Sequence, residues 1–178
     1  MRSAKLLAIM SFLLGLAFLW VSCGGTRLYI PEYDTAREQY FYALQIKNNP
    51  YKSLAPDSRQ AAQKEAIQAL ELVIKRFPDD TSFTPLAYIS MADSYYNLHR
   101  YKKALKVYSL AQEEYPNQED IEAASLFGQA RAYEKLKKFS QANELYKTCI
   151  DKFSDDEREE IQNIVKKCQH YYQKLKRK

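Results

Sequence analysis

PLAYISMADSYYNLHRYKKALKVYSLAQEEYP, residues 85–116, is the stretch on which the reading of this 178-residue chain turns. Tyr88, Met91 and Tyr95 recur at intervals of three and four, which puts them on one face of a helix. Leu98-His99-Arg100 breaks the pattern as a tight turn. A second periodic segment carries Ala104, Tyr108 and Ala111, and Pro116 cannot continue it. Small Ala92 and Ala104 let two backbones approach closely, so the stretch reads as a pair of antiparallel helices.

A shift of 38 residues reproduces this pattern in both directions. Tyr95 maps to Tyr133 and Tyr171, Ala92 to Ala130 and Cys168, and Tyr88 to Leu126 and Ile164. Ala104 maps forward to Ala142 and back to Ala66. Arg76-Phe77-Pro78 maps to Glu114-Tyr115-Pro116 and to Lys152-Phe153-Ser154. The order Tyr88, Met91, Ala92, Tyr95, Ala104, Tyr108, Ala111, Pro116 resembles the tetratricopeptide repeat, W-x2-L-G-x2-Y…A-x3-F…P, with Tyr88 and Ala92 at its Trp and Gly positions. The residues beyond its usual period of about 34 fall after the proline, in DDTSFT (79–84) and NQEDIE (117–122). The resemblance implies an all-α fold, a right-handed solenoid of about three helix pairs plus a C-terminal capping helix.

Taken in order, the pattern predicts a first helix over Glu32–Lys47, with Tyr33, Ala36, Tyr40, Ala43 and Leu44 on one face. Asn48-Asn49-Pro50 stops it, and PYKSLAPD (50–57) is inserted before the second helix, which Asp57 or Ser58 caps and which runs to Phe77. Thr84-Pro85 reads as an N-cap with proline at the first helical position. Ser154 with Glu157 has capping-box spacing and opens a last helix with Ile161, Ile164, Cys168, Tyr171 and Leu175 on one face. No strand alternation of any length competes.

The N-terminus has another character. Arg2 and Lys5 precede an apolar run from Leu6 to Val21, followed by Ser-Cys-Gly-Gly. A small residue and then Cys at the end of such a run resembles the lipobox of bacterial lipoproteins, although Trp20 stands where Leu is usual. The resemblance implies cleavage before Cys23 and a lipid on that residue. An uncleaved anchor helix and an ordinary signal peptide are the alternatives. The expected domains are a signal peptide at 1–22, a lipidated tether at 23–31 and a repeat domain at 32–178. Without Arg2 and Lys5 the formal net charge of +5 falls to about +3. Gly24 is not the Asp that resembles an inner-membrane retention signal. This favours the periplasmic face of the outer membrane, the outer face of the cytoplasmic membrane being the alternative.

Few residues qualify for chemistry. No nucleophile elbow, phosphate-binding glycine loop or H-E-x-x-H is present. His99 and His170 lie in different units without a ligand at metal-binding spacing, so no metal site, cofactor, small-molecule substrate or catalytic residue is expected. Asp155, Asp156, Glu157, Glu159 and Glu160 open a helix, and Lys166, Lys167, Lys174, Lys176, Arg177 and Lys178 close it, each sign complementing the helix dipole. The basic end has a second reading, contact with anionic lipid or a polyanion. The modest charge and the lack of a nucleic-acid motif argue against nucleic acid. Cys149 and Cys168 take small-residue packing positions, and either a disulfide or two buried thiols fits them.

The lipoprotein-type leader together with repeats joined by Phe/Tyr-Pro turns resembles two kinds of bacterial envelope protein. These are the tetratricopeptide lipoprotein of the outer-membrane β-barrel assembly (Bam) machine and the periplasmic coordinator of the Tol–Pal system. The resemblance implies a scaffold for other envelope proteins, tied to the membrane by its N-terminal lipid and without catalysis. First helices of such arrays line a concave groove. On the register above, that groove takes Ile89, Asp93, Tyr96 and Asn97 from the second unit and Phe127, Arg131, Glu134 and Lys135 from the third. Val165, Gln169 and Tyr172 come from the cap. The competing reading of Phe127 and Tyr172 is packing between units.

Overall fold

Thr35 decides where the first helix begins. Its Oγ1 accepts a hydrogen bond from the Glu38 backbone N–H at 3.2 Å and donates to the Glu38 carboxylate at 2.9 Å. This reciprocal cap starts α1 at Ala36 (Ala36–Asn48), four residues later than the predicted Glu32. The lead-in cannot join the helix because it is held in another shape. Fully buried Gln39 donates from Nε2 to the Pro31 carbonyl at 3.1 Å and accepts from the Tyr33 N–H at 3.0 Å. Arg76 donates to the Tyr33 carbonyl at 2.8 Å.

The computed structural model describes residues 29–49 and 59–177. The leader 1–22, Cys23, the insertion 50–57 and its capping candidates Asp57 and Ser58 lie outside the described residues. Six further helices follow α1: α2 (Arg59–Arg76), α3 (Thr84–Asn97), α4 (Tyr101–Glu114), α5 (Glu119–Lys135), α6 (Phe139–Phe153) and α7 (Glu159–Lys176). The described residues are all-α. Each helix packs on the next, and the alternate helices α1, α3, α5 and α7 also touch in succession. The fold is therefore a helical-repeat solenoid of three helix pairs closed by α7, as the sequence predicted.

The predicted small positions are the close crossings. Ala66, Ala92, Ala104, Ala130 and Ala142 are fully buried. Tyr88 and Tyr95 are half-buried and pack against the same core as Met91 and Tyr108. Gly128 lies against the face of Tyr108, where an added Cβ would come within 2.2 Å of the ring. The residue one period earlier is Ser90, whose hydroxyl meets the Tyr40 hydroxyl at 3.2 Å. A tyrosine of the preceding unit thus reaches the same repeat position twice, and the residue there is small both times.

The turns repeat as well. His99 and Lys137, one period apart, have φ of 58° and 60°. The Arg100 N–H bonds the Tyr95 carbonyl and the His99 N–H bonds the Tyr96 carbonyl, both at 2.9 Å. Lys138 and Lys137 repeat this pairing with Tyr133 and Glu134. These are Schellman C-caps with a non-glycine residue in the left-handed position. Outside the helices, the Gln118 side chain donates to the Thr81 carbonyl at 2.9 Å, so the post-proline turns of successive units lean on each other, and the Tyr115 ring at the end of α4 lies 6.1 Å from that of Tyr88 in α3.

Two predicted caps are replaced. Thr84 is the first residue of α3, and its hydroxyl donates to the Phe77 carbonyl at 2.7 Å, closing the preceding helix. Asp80 serves α3 instead, accepting from the N–H groups of Ser82, Phe83 and Thr84 at 3.0, 2.5 and 3.4 Å. Ser154 closes α6, and the Ser154–Glu157 capping box does not form. The Gln162 side chain spans that turn, donating to the carbonyls of Phe153, Ser154 and Asp156 at 3.1, 3.1 and 2.6 Å.

Candidate functional site: the face of the first helices

The predicted groove residues of the second and third units fall together along α3 and α5, where Asp93, Tyr96, Phe127, Arg131 and Glu134 are engaged by neighbouring side chains while Asn97 and Lys135 stay exposed. Asp93 is the hub. It accepts a hydrogen bond from the Tyr108 hydroxyl at 2.6 Å and faces the Lys47 ammonium at 3.8 Å. Lys47 also donates to the Ser90 carbonyl at 3.3 Å, and only 14% of its side chain is exposed. Burial holds its pKa below the usual lysine value, against the pull of Asp93. The Tyr108 phenol is pushed well up, first by burial and then by the negative charge of Asp93.

The next layer is built on Arg131. Its guanidinium lies 4.2 Å from the centroid of Tyr96 and 5.4 Å from that of Phe127. Burial works against the charged form of this arginine, but Tyr96, Asp93 and Tyr108 outweigh it and keep the group charged. Tyr96 in turn stands edge-on to Tyr101 at 5.3 Å. Phe127 is packed between units. Its ring lies 6.2 Å from Tyr146 and 5.8 Å from Tyr171, which themselves stack at 5.8 Å. Glu134 faces the Tyr146 hydroxyl at 3.5 Å. Rings supply area and fixed geometry here, while Asp93, Arg131 and Glu134 keep part of their surface in solvent.

The other predicted positions divide. Ile89 is half-buried against the core. Asn97, Lys135 and Gln169 are exposed, and Asn97 lines a cleft with Arg59, Gln63 and His99. Tyr172 is half-buried under the Lys176 ammonium, 4.4 Å from its ring. Val165 is a core residue at 1% exposure, so it cannot line a groove. The cause lies in α7. This helix packs on both α5 and α6, so its inward side is wider than the predicted face: Ile161, Cys168 and Leu175 are buried as predicted, Val165 joins them, and Ile164 and Tyr171 pack half-buried at the edge.

The 38-residue register of these contacts meets an independent result. Residues 87–117 and 124–156 match the family of the Tetratricopeptide repeat. Two of the helix pairs therefore match that repeat. Neither the curated proteins nor the solved structures gave a significant match. The first matched repeat contributes Asp93, Tyr96 and Tyr108 to the site, and the second contributes Phe127, Arg131, Glu134 and Tyr146.

The first repeat also meets α1, which the family match does not cover, through Tyr40 and Lys47. Sequence reading missed both as site residues. The signal that finds Lys47 is a lysine on the buried side of a helix with no acid of its own helix beside it, which calls for a carboxylate from a neighbour. Cys149 of α6 and Cys168 of α7 are free, buried thiols rather than a disulfide. Among the described residues, no group of three or more His, Cys, Asp or Glu could hold a metal ion, and no helix is long and apolar enough to cross a membrane.

Proposed function

We propose that this chain is an exported, lipid-anchored scaffold of the bacterial cell envelope that holds partner proteins on the face of its first helices. Its place of work is the periplasmic side of the outer membrane, in the assembly of outer-membrane proteins. The observation that carries the reading is the set of half-exposed groups fixed along two tetratricopeptide repeats: Asp93, Tyr96, Arg131 and Glu134. Rings and hydrogen bonds hold these heads in place before any partner arrives, so little side-chain entropy is lost on binding. Alternating charge and aromatic surface suits an extended or helical segment that carries both signs. Lipid anchoring is supported by the leader of Arg2, Lys5 and the apolar run that ends at Cys23.

The test has two arms. A photo-crosslinker at Asn97 or Lys135, both exposed beside the site, should capture a partner from the native envelope that one at Lys106 of α4 does not. Equal capture from all three positions would remove the groove. Tyr96→Ala should weaken capture by about 2 kcal/mol while the helical melt changes little. Mass spectrometry of the mature protein should find Cys23 as its acylated first residue. Mature protein that retains Met1 would remove the anchor and leave the interaction face untouched.

A further inference from the structure

The last helix has an outer side that no described element covers. α7 turns Ile161, Val165, Cys168 and Leu175 inward, against α5 and α6. On the opposite side Lys166, Gln169, His170, Gln173, Lys174 and Arg177 line one shallow depression, and all six are exposed. Among the described residues no carboxylate pairs with Lys166, Lys174 or Arg177. The acids of this helix, Glu159 and Glu160, sit in its first turn, about 10 Å before Lys166 along the axis.

Dipole complementarity accounts for part of this stripe only. That effect fades within the last turn, and Lys166 stands about 15 Å from the helix end. The face carries no exposed apolar residue, so whatever it meets is held by charge and not by insertion. A row of cations about 16 Å long on one side of a helix suits a flat anionic surface.

The chain outside the structure says which surface is near. Only the six residues 24–29 separate Cys23 from Ile30, which is packed against the core. Fully extended, they reach about 20 Å. The succession α1, α3, α5, α7 covers about 30 Å at the usual spacing of packed helices. A solenoid held that close by its first unit brings α7 to the membrane when it lies along it. We infer that the exposed face of α7 rests on the anionic headgroups of the membrane that anchors the chain, an inference that builds on the anchoring part of the proposed function.

Each Lys or Arg near an anionic surface contributes roughly a fivefold gain, so Lys166, Lys174 and Arg177 together supply about a hundredfold. The contact fades with salt, since screening shortens from about 10 Å at 0.1 M to about 3 Å at 1 M.

The experiment uses the full chain with vesicles of phosphatidylcholine, alone or mixed with phosphatidylglycerol. Flotation reports the anchor. Acetylation rates of individual lysines, read by mass spectrometry, report the face. The expected result is flotation with both vesicles, and slowing of Lys166 and Lys174 by about tenfold or more on the anionic vesicles alone. Lys102 and Lys106 of α4 should be unaffected. The protection should disappear near 1 M salt and be largely lost in Arg177→Glu. Flotation with both vesicles but equal acetylation on them would overturn the inference and leave the anchor standing. Flotation only with anionic vesicles would support the α7 contact while removing the anchor, and flotation with neither would overturn both. Equal protection by soluble polyglutamate would overturn the lipid assignment in favour of an acidic protein.

Discussion

Gly128 is the residue at which a single methyl group matters most. The ring of fully buried Tyr108 lies where its side chain would begin, and the hydrogen bond from its hydroxyl to Asp93 holds the ring at that same end. Gly128→Ala therefore has to displace the ring or separate α4 from α5. It should cost about 1–3 kcal/mol, read as a lower denaturant midpoint. An unchanged midpoint would mean that Tyr108 moves aside freely. The opposite sign is expected at the turns. His99 and Lys137 occupy the left-handed region at the ends of α3 and α5, a conformation that costs a side chain about 1–2 kcal/mol. Lys137→Gly relieves that strain at the expense of glycine's greater unfolded entropy, and should raise stability by about 0.5–1 kcal/mol. Equilibrium unfolding in urea measures the difference, and a loss of stability would show that the Lys137 side chain is worth more than its backbone strain.

At the scale of elements, the alanine crossings and the aromatic layer between units do different jobs. Ala130 is fully buried, in the cluster formed by α5, α6 and α7. Ala130→Leu pushes two backbones apart and should lower stability by about 1–3 kcal/mol, visible as an earlier thermal transition. Phe127 joins α5 to Tyr146 of α6 and Tyr171 of α7. Truncation to Ala should cost about 2–3 kcal/mol, short of a fully buried phenylalanine because the ring is half-exposed. Calorimetry on Phe127→Ala beside Tyr96→Ala separates the roles. A large drop for the first and a small one for the second assigns Phe127 to packing between units and Tyr96 to the surface. Equal drops would make both structural.

Over the whole molecule, alkaline pH should find the weak point. Tyr40, Tyr108 and Tyr146 are all held above the ordinary phenol value, burial being the largest cause in each. Tyr42 is pushed up to about 12 by burial and then by the charge of Glu65. A folded-state pKa above the unfolded one means that the protonated phenol favours the fold. The contribution is complete below the ordinary value of 10.0 and is lost as pH rises past it, for Tyr42 over the window from 10.0 to about 12. Lys47 acts in the other direction, because burial lowers its folded value and its contribution improves as pH approaches 10.5. One lysine opposes these four tyrosines, and Tyr88, Tyr95 and Tyr115 are raised by burial as well, so the thermal midpoint should fall above about pH 10, with tyrosinate absorbance appearing as helix is lost. Titration of those tyrosines near pH 10 with helix intact would contradict this account.

What the sequence determined by itself was the repeat. A period of 38 residues, the alanines at the crossings, the tyrosines between helices and the proline-led turns all follow from local spacing, which a helix imposes every three to four residues. Tertiary structure decided which groups of different units meet. Lys47 faces Asp93 and Tyr108 reaches Gly128 across 46 and 20 positions of sequence, and no periodicity specifies a partner at such a distance. It also decided the caps, because Asp80 and Gln162 outcompeted Thr84 and Ser154 once the chain's actual turns placed their side chains nearer the open amides and carbonyls. The same holds for α7. Its register came from touching two helices at once, which buried Val165 and left Lys166 and Lys174 on the outside.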